Sequence, residues 1–312
     1  MNFTKRIKEE LTANSFSSSC CEAACLSAFL RTSGSILTRD GQIGFSFFTE
    51  NEKVAAFFNK IINDLYGIEG EYSGKTSSGK DKITCEYISG GTFDALTELG
   101  ILVASENGIA VEMGIDKYLI ETECCKRAYV RGAFLGGGSC TIPNEKAAKN
   151  TGYHLEFVFS YYETAHAFSE LLAEFDILAK LIERKKSFVV YVKSNEEIQE
   201  ILTLIGAEGG SLALAETVII KDYSNNANRK SNCDLGNINK QIEAAERQIN
   251  AINVIKETAG LESLKKELFD VCELRLSDEF LTLEEMAEKL GVSKSCVNHR
   301  MRKIIEIAKN MS

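Results

Sequence analysis

Apolar residues recur at helical spacing in several stretches of the chain. Val54, Phe57, Phe58, Ile61, Ile62 and Leu65 lie three or four positions apart, which predicts a helix over about 51–66 with one face turned to a core. Leu283, Met286, Ala287 and Leu290 repeat the pattern, and Val297, Met301, Ile304 and Ala308 repeat it again. The first eleven residues mix charges with apolar side chains and predict a short helix rather than a secretion signal. No run approaches the ~20 apolar residues of a membrane-spanning helix.

Part of the chain is duplicated. Residues 20–35, from Cys20-Cys21 to Gly34-Ser35, align with residues 124–139, from Cys124-Cys125 to Gly138-Ser139. The Cys pairs, Ala24 and Ala128, Gly34 and Gly138, and Ser35 and Ser139 match in type. Each copy reads as a helix with small residues one turn apart, Ala24 with Ala28 and Ala128 with Gly132. That spacing lets two helix backbones approach closely. Glycine then ends each helix.

The patterns that follow each copy also correspond. After the first come a strand, a turn at Arg39-Asp40-Gly41-Gln42, a strand to about Phe48 and the 51–66 helix. A hairpin over 69–88, turning in Ser77-Ser78-Gly79-Lys80, and a helix over 92–99 close the unit. After the second come a strand at 153–160, a helix at 163–175, a hairpin at 177–193 turning near Arg184-Lys185-Lys186, and a helix at 195–204. Two α-β-β-α-β-β-α units predict an α+β domain of pseudo-two-fold symmetry with the duplicated helices at its axis. The expected division is this domain over 1–205 (repeats of about 15–102 and 119–205), a segment 206–227 reading as a linker, hinge or helix, and an all-α domain over 228–312.

Composition narrows the chemistry. The chain has 312 residues, 44% hydrophobic and 26% charged, ordinary for a globular protein with a real core. Its ten cysteines, without an export signal, read as reduced thiols. Cys20, Cys21 and Cys25 have no second CxxC or HxxxH nearby, so their spacing does not support a zinc site. His154, His166 and His299 are scattered, and no metal or cofactor is expected. Gly136-Gly137-Gly138 lacks phosphate-loop spacing and follows a helix, not a strand. The net charge of −9 confines any nucleic-acid contact to a small face.

That face lies near the C-terminus. Thr282 and Glu285 form a capping-box pattern at the start of the 283–290 stripe. Gly291 supplies a turn, Val292 plugs the corner and Ser293 caps the next helix. Opposite the stripe of that helix lie Lys294, Ser295, Asn298, His299 and Arg302. From Ser293 to Lys303 there are four Lys or Arg and no acid. This is the outline of a helix-turn-helix whose second helix enters the major groove of duplex DNA. Lys294, Ser295, Asn298 and His299 are assigned to base edges or adjacent phosphates, and Arg300, Arg302 and Lys303 to the backbone. The competing reading is a solvated basic helix in a protein-interaction module. Arg229, Lys230 and Lys240, in the Asn-rich stretch 228–240, either touch phosphates or belong to a rigid turn whose Asn side chains bond their own backbone. After it, Ile238, Ile242, Ala245, Ile249 and Ile252 predict a packing stripe. Lys180, Arg184, Lys185, Lys186 and Lys193 make the second-repeat hairpin basic, against Glu183. The first hairpin mixes Glu69, Glu71, Asp81 and Glu86 with Lys75, Lys80 and Lys82.

The duplicated helices resemble the core motif of the LAGLIDADG homing endonucleases, as Leu26–Gly34 and Val130–Gly138. The resemblance implies two helices at an axis and strands forming a saddle. It also places the family's metal-binding acid one position before each final glycine. Ser33 and Gly137 stand there, and neither supplies the charged oxygen that a hard divalent cation needs. A degenerate domain of this kind followed by a helix-turn-helix is similar to the WhiA family of bacterial regulators. Stretches 228–249 and 292–300 and the double-cysteine helix carry that similarity. It implies a DNA-binding transcriptional regulator without nuclease activity, acting in sporulation, cell division and chromosome segregation. It further implies a place at the nucleoid or in the cytoplasm, and a contact with RNA polymerase or another regulator. A single chain already holds both repeats, which is compatible with a monomer and leaves self-association open. The rivals are an active endonuclease and a scaffold that does not bind DNA.

Overall fold

The computed structural model describes residues 2–77, 80–105, 108–143, 152–277 and 281–311. The chain divides into two compact units, Met1–Ile220 and Lys221–Ser312.

The first unit opens with α1 (Phe3–Ala13) and the axial helix α2 (Ser19–Ser33). Strands β1 (Gly34–Arg39) and β2 (Gln42–Thr49), helix α3 (Glu52–Tyr66), strands β3 (Glu71–Ser77) and β4 (Lys80–Tyr87), and helix α4 (Thr92–Glu98) complete the first repeat. A small hairpin, β5 (Leu102–Ser105) and β6 (Gly108–Val111), precedes the second axial helix, α5 (Glu123–Gly137). The second repeat continues with β7 (Gly138–Thr141), β8 (His154–Phe159), α6 (Tyr162–Ala173), β9 (Lys180–Arg184), β10 (Ser187–Val192) and α7 (Asn195–Leu204). Both four-stranded sheets are antiparallel and share one order, β1-β2-β4-β3 and β7-β8-β10-β9. Even the register repeats: the glycine opening each sheet, Gly34 or Gly138, faces a core phenylalanine, Phe47 or Phe157. The duplication and the α-β-β-α-β-β-α order are thus as expected. The β5–β6 hairpin is an addition that the alternation of so few residues does not announce.

α2 and α5 pack together, and nine residues of each are buried. A helix apolar nearly all round belongs inside a core. Small residues set the approach: a Cβ on Gly132 would lie 2.0 Å from the Cys25 carbonyl oxygen, and one on Gly136 would lie 2.0 Å from Thr32 Oγ1. The glycines ending these helices play a different part from the one expected. Gly34 and Gly138 have φ of −91° and −82°, so neither is a left-handed cap. A Cβ would meet Leu30 O at 2.5 Å or the Phe134 side chain at 2.5 Å, so close packing is what requires glycine there. Around α2 the core is aromatic, with Phe29 stacked on Phe58 at 3.6 Å and edge-on to Phe47. Arg131, buried on α5, donates to the carbonyls of Leu11 and Asn14 and lies 4.3 Å from the Phe16 ring, tying α1 to the axis.

Helix α8 runs from Glu208 to Thr258. The segment 206–227, for which linker, hinge and helix were open, is helical from Glu208, and the division between units falls within it. The Asn-rich stretch 228–240 is interior helix, which removes the rigid-turn reading. The expected stripe is only half buried: Ile252 is fully covered, while Ile238 and Ile242 are 50% and 44% exposed. Beyond a 3-10 turn (Leu261–Ser263) come α9 (Lys266–Ser277), α10 (Leu283–Leu290) and α11 (Lys294–Met311). Ile252, Ile255, Val271, Cys272, Met286, Val297, Met301 and Ile304 form the core of this second unit.

Candidate nucleic-acid interface

The candidate site is built on α10, its turn and α11. Thr282 Oγ1 accepts from Glu285 N–H at 3.2 Å, and Glu285 Oε2 accepts from Thr282 N–H at 2.7 Å, a complete capping box. The bond from the Thr282 backbone, and then one that its hydroxyl donates to the same carboxylate oxygen at 2.8 Å, hold the Glu285 carboxyl below its usual range. Gly291 takes φ of 65°, where a side chain is strained, and Val292 N–H returns to Ala287 O at 2.9 Å. Ser293 Oγ then accepts from Cys296 N–H at 3.2 Å and caps α11.

On α11, Val297, Met301, Ile304 and Ala308 are buried, the four positions expected. Ser295, His299, Arg302 and Lys303 are exposed, and Asn298 is half-buried beside them. Lys294 is exposed but its Nζ lies 3.0 Å from Glu284 Oε2 on α10. Arg300 falls on the flank of the buried stripe, only 17% of its side chain exposed. Its guanidinium turns toward Glu267 on α9, at 4.0 Å from the carboxylate and 3.5 Å from the carbonyl oxygen. The face presented to solvent is therefore Ser295, Asn298, His299, Arg302 and Lys303. Arg229 and Lys230 are exposed on α8.

The second-repeat hairpin offers less cationic surface than its composition suggests. Arg184 grips Glu156 with both terminal nitrogens, at 3.0 and 3.2 Å, and His154 bonds the same carboxylate. Burial pushes the Glu156 carboxyl up, but these bonds outweigh it and hold the group below its usual range. Lys180, Lys185, Lys186 and Lys193 remain exposed. The side chains of Lys75, Lys80 and Asp81 and the Ser78-Gly79 turn lie outside the described residues.

At the C-terminal ends of the axial helices the expected substitutions have structural consequences. Ser33 is buried, and its hydroxyl donates to Phe29 O at 2.9 Å. A Cβ on Gly137 would sit 2.6 Å from Val158 O, leaving no room for an acid there. Among the described residues, the one group of at least three His, Cys, Asp or Glu ligand atoms close enough to share an ion is Cys20, Cys21 and Cys125, at the other ends of these helices. Chain spacing could not reveal it, because only the duplication brings the two cysteine pairs together.

Three family models match in chain order: the WhiA N-terminal LAGLIDADG-like domain over 19–88, the WhiA LAGLIDADG-like domain over 126–224 and the WhiA C-terminal HTH domain over 227–308. A probable cell division protein WhiA from Thermoanaerobacter sp. (strain X514) is 39% identical, with 100% of this chain and 98% of that protein aligned. The chain belongs to the WhiA family. The WhiA relative from Brevibacillus brevis is 37% identical over 99% of this chain and 96% of its own length. The crystal structure of full-length DUF199/WhiA from Thermatoga maritima superposes with a TM-score of 0.60 at 26% identity, covering 99% of each chain. The first unit is accordingly a WhiA LAGLIDADG-like domain, and α10 and α11 as far as residue 308 fall within the WhiA HTH domain. Among the described residues no helix is long and apolar enough to cross a membrane.

Proposed function

We propose that this WhiA-family chain is a DNA-binding transcriptional regulator that reads duplex DNA through α11 and does not cleave it. The observation that carries the reading is the division of α11 into a buried apolar stripe and a face of Ser295, Asn298, His299, Arg302 and Lys303 with no acid before Glu306, behind a capped α10 and a glycine turn. Asn298 has the amide to pair with adenine, and Arg302 and Lys303 the charge to hold phosphates. Ser293 sets the first turn of α11, where base contacts of this motif concentrate. Lys294 joins the face on releasing Glu284. Arg300, turned toward Glu267, serves packing more than the backbone contact first assigned to it. Arg229 and Lys230 add charge on α8.

The absence of acids at Ser33 and Gly137 supports the non-nuclease reading. Cell division, sporulation and chromosome segregation are the processes such a regulator would serve, at the nucleoid, with RNA polymerase or another regulator as its protein contact. Binding to genomic fragments at several salt concentrations tests the reading, together with incubation of plasmid libraries with magnesium. Salt-sensitive binding without cleavage is expected. Reproducible cleavage lost on substitution near Ser33, or no DNA association at any salt, overturns it.

A further inference from the structure

The axial pair has chemistry at the ends opposite Ser33 and Gly137. Cys20 and Cys21 occupy the first turn of α2, and Cys124 and Cys125 the first turn of α5. The Sγ atoms of Cys20, Cys21 and Cys125 all lie within 4.8 Å of one another, and Cys21 and Cys125 are 4.0 Å apart across the axis. In a tetrahedral thiolate site with metal–sulfur bonds of ~2.3 Å, the sulfurs stand about 3.8 Å apart. Small side-chain rotations therefore separate these three sulfurs from three corners of a coordination shell, and Cys124, adjacent to Cys125 in the first turn of α5, is the residue left to supply the fourth. The hydroxyls of Ser18 and Thr122, which flank the two helix starts, each lie 3.2 Å from the neighbouring exposed thiol, Cys20 or Cys124.

We propose that Cys20, Cys21, Cys124 and Cys125 together bind one zinc ion that clamps the two repeats at their pseudo-two-fold axis. Soft thiolates select zinc over hard divalent cations. Binding replaces four S–H bonds with four Zn–S bonds and releases four protons, leaving a site of net charge −2. Two helix N-termini converge on that charge and stabilise it. Cys20 and Cys124 are exposed, and Cys21 and Cys125 are buried. The two exposed cysteines thus offer entry for the ion, and the two buried ones close the site behind it. A Cys21–Cys125 disulfide is the competing use of the cluster, but it engages only two of the three converging sulfurs.

The test uses the full chain, reduced, stripped of metal and titrated with Co²⁺ as a spectroscopic stand-in for zinc. The expected result is one Co²⁺ per chain, with thiolate charge-transfer absorption and the visible bands of a tetrahedral site, all displaced by Zn²⁺. Cys20→Ser and Cys124→Ser each weaken the signal, and the double variant loses it. The exposure of both residues keeps these variants folded, which circular dichroism checks. Cys233→Ser and Cys296→Ser leave binding unchanged. Two results overturn the proposal: no stoichiometric Co²⁺ or Zn²⁺ on the reduced wild-type chain, or binding that survives the Cys20→Ser/Cys124→Ser double variant. Peptide mapping that finds a Cys21–Cys125 disulfide in a chain that binds no metal when reduced assigns the cluster to redox chemistry instead.

Discussion

Helices α5 and α11 are similar in length, 15 and 18 residues, but nine residues of α5 are buried and only four of α11. In α5 even an arginine, Arg131, is enclosed and bonded to backbone carbonyls. In α11 every buried residue lies on one stripe, Ile305 and Ile307 pack beside it, and the exposed remainder meets solvent or acids of α9 and α10. Over Ala128–Leu135 α5 is covered on all sides, so its sequence there answers to packing, and exposed surface remains only before Ala128. A helix with one covered face can vary its other face to suit a partner. The axial pair therefore carries the fold, and α11 carries recognition.

Substitutions sharpen that contrast. Gly132→Ala places a methyl against the Cys25 carbonyl and should destabilise the first unit by about 3 kcal/mol or more, seen as a lower urea midpoint. An unchanged midpoint would mean that the axial helices stand farther apart. Beside α5, Lys8 donates to Leu135 O at 2.9 Å, and its burial, partly offset by Glu50, brings its pKa down to about 8. Between pH 8 and the ordinary lysine range the unfolded chain binds the extra proton, so stability should rise with pH through this window. The rise should amount to at most about 3 kcal/mol and be absent in Lys8→Met. A wild-type profile that matches Lys8→Met would place this amine in water. Asn298→Ala on α11 should leave the thermal midpoint in place and reduce discrimination between specific and random DNA by about 1–3 kcal/mol. Equal discrimination by both proteins would remove Asn298 from base contact. Smallest is Thr282→Ala, which opens the capping box and should cost about 1 kcal/mol, read from the second unit's unfolding.

Much of this was legible in the residues themselves. Repetition of Cys-Cys, Ala and Gly-Ser exposed the axial pair, because close helix packing constrains residue size. Thr282, Glu285, Gly291 and Ser293 marked the helix-turn-helix, because caps and turns depend on local chemistry. Three features were hidden for identifiable reasons. α8 is long and polar over 222–234, where no apolar stripe reveals a helix, yet no proline interrupts it from Glu208 to Thr258. Arg184 and Arg300 read as free cations because their partners, Glu156 and Glu267, are distant in the chain. The cluster of Cys20, Cys21 and Cys125 exists only where two helix starts meet, which spacing within either copy cannot convey.

The most direct test of the central claim is the slope of DNA affinity against salt, compared between the wild-type chain and Arg302→Ala at equal fold stability. The account predicts that wild-type affinity falls steeply with salt, and that removing one phosphate contact lowers the logarithmic slope by about 0.9. Identical affinity and slope in the two proteins would contradict it and return α11 to the role of a solvated helix.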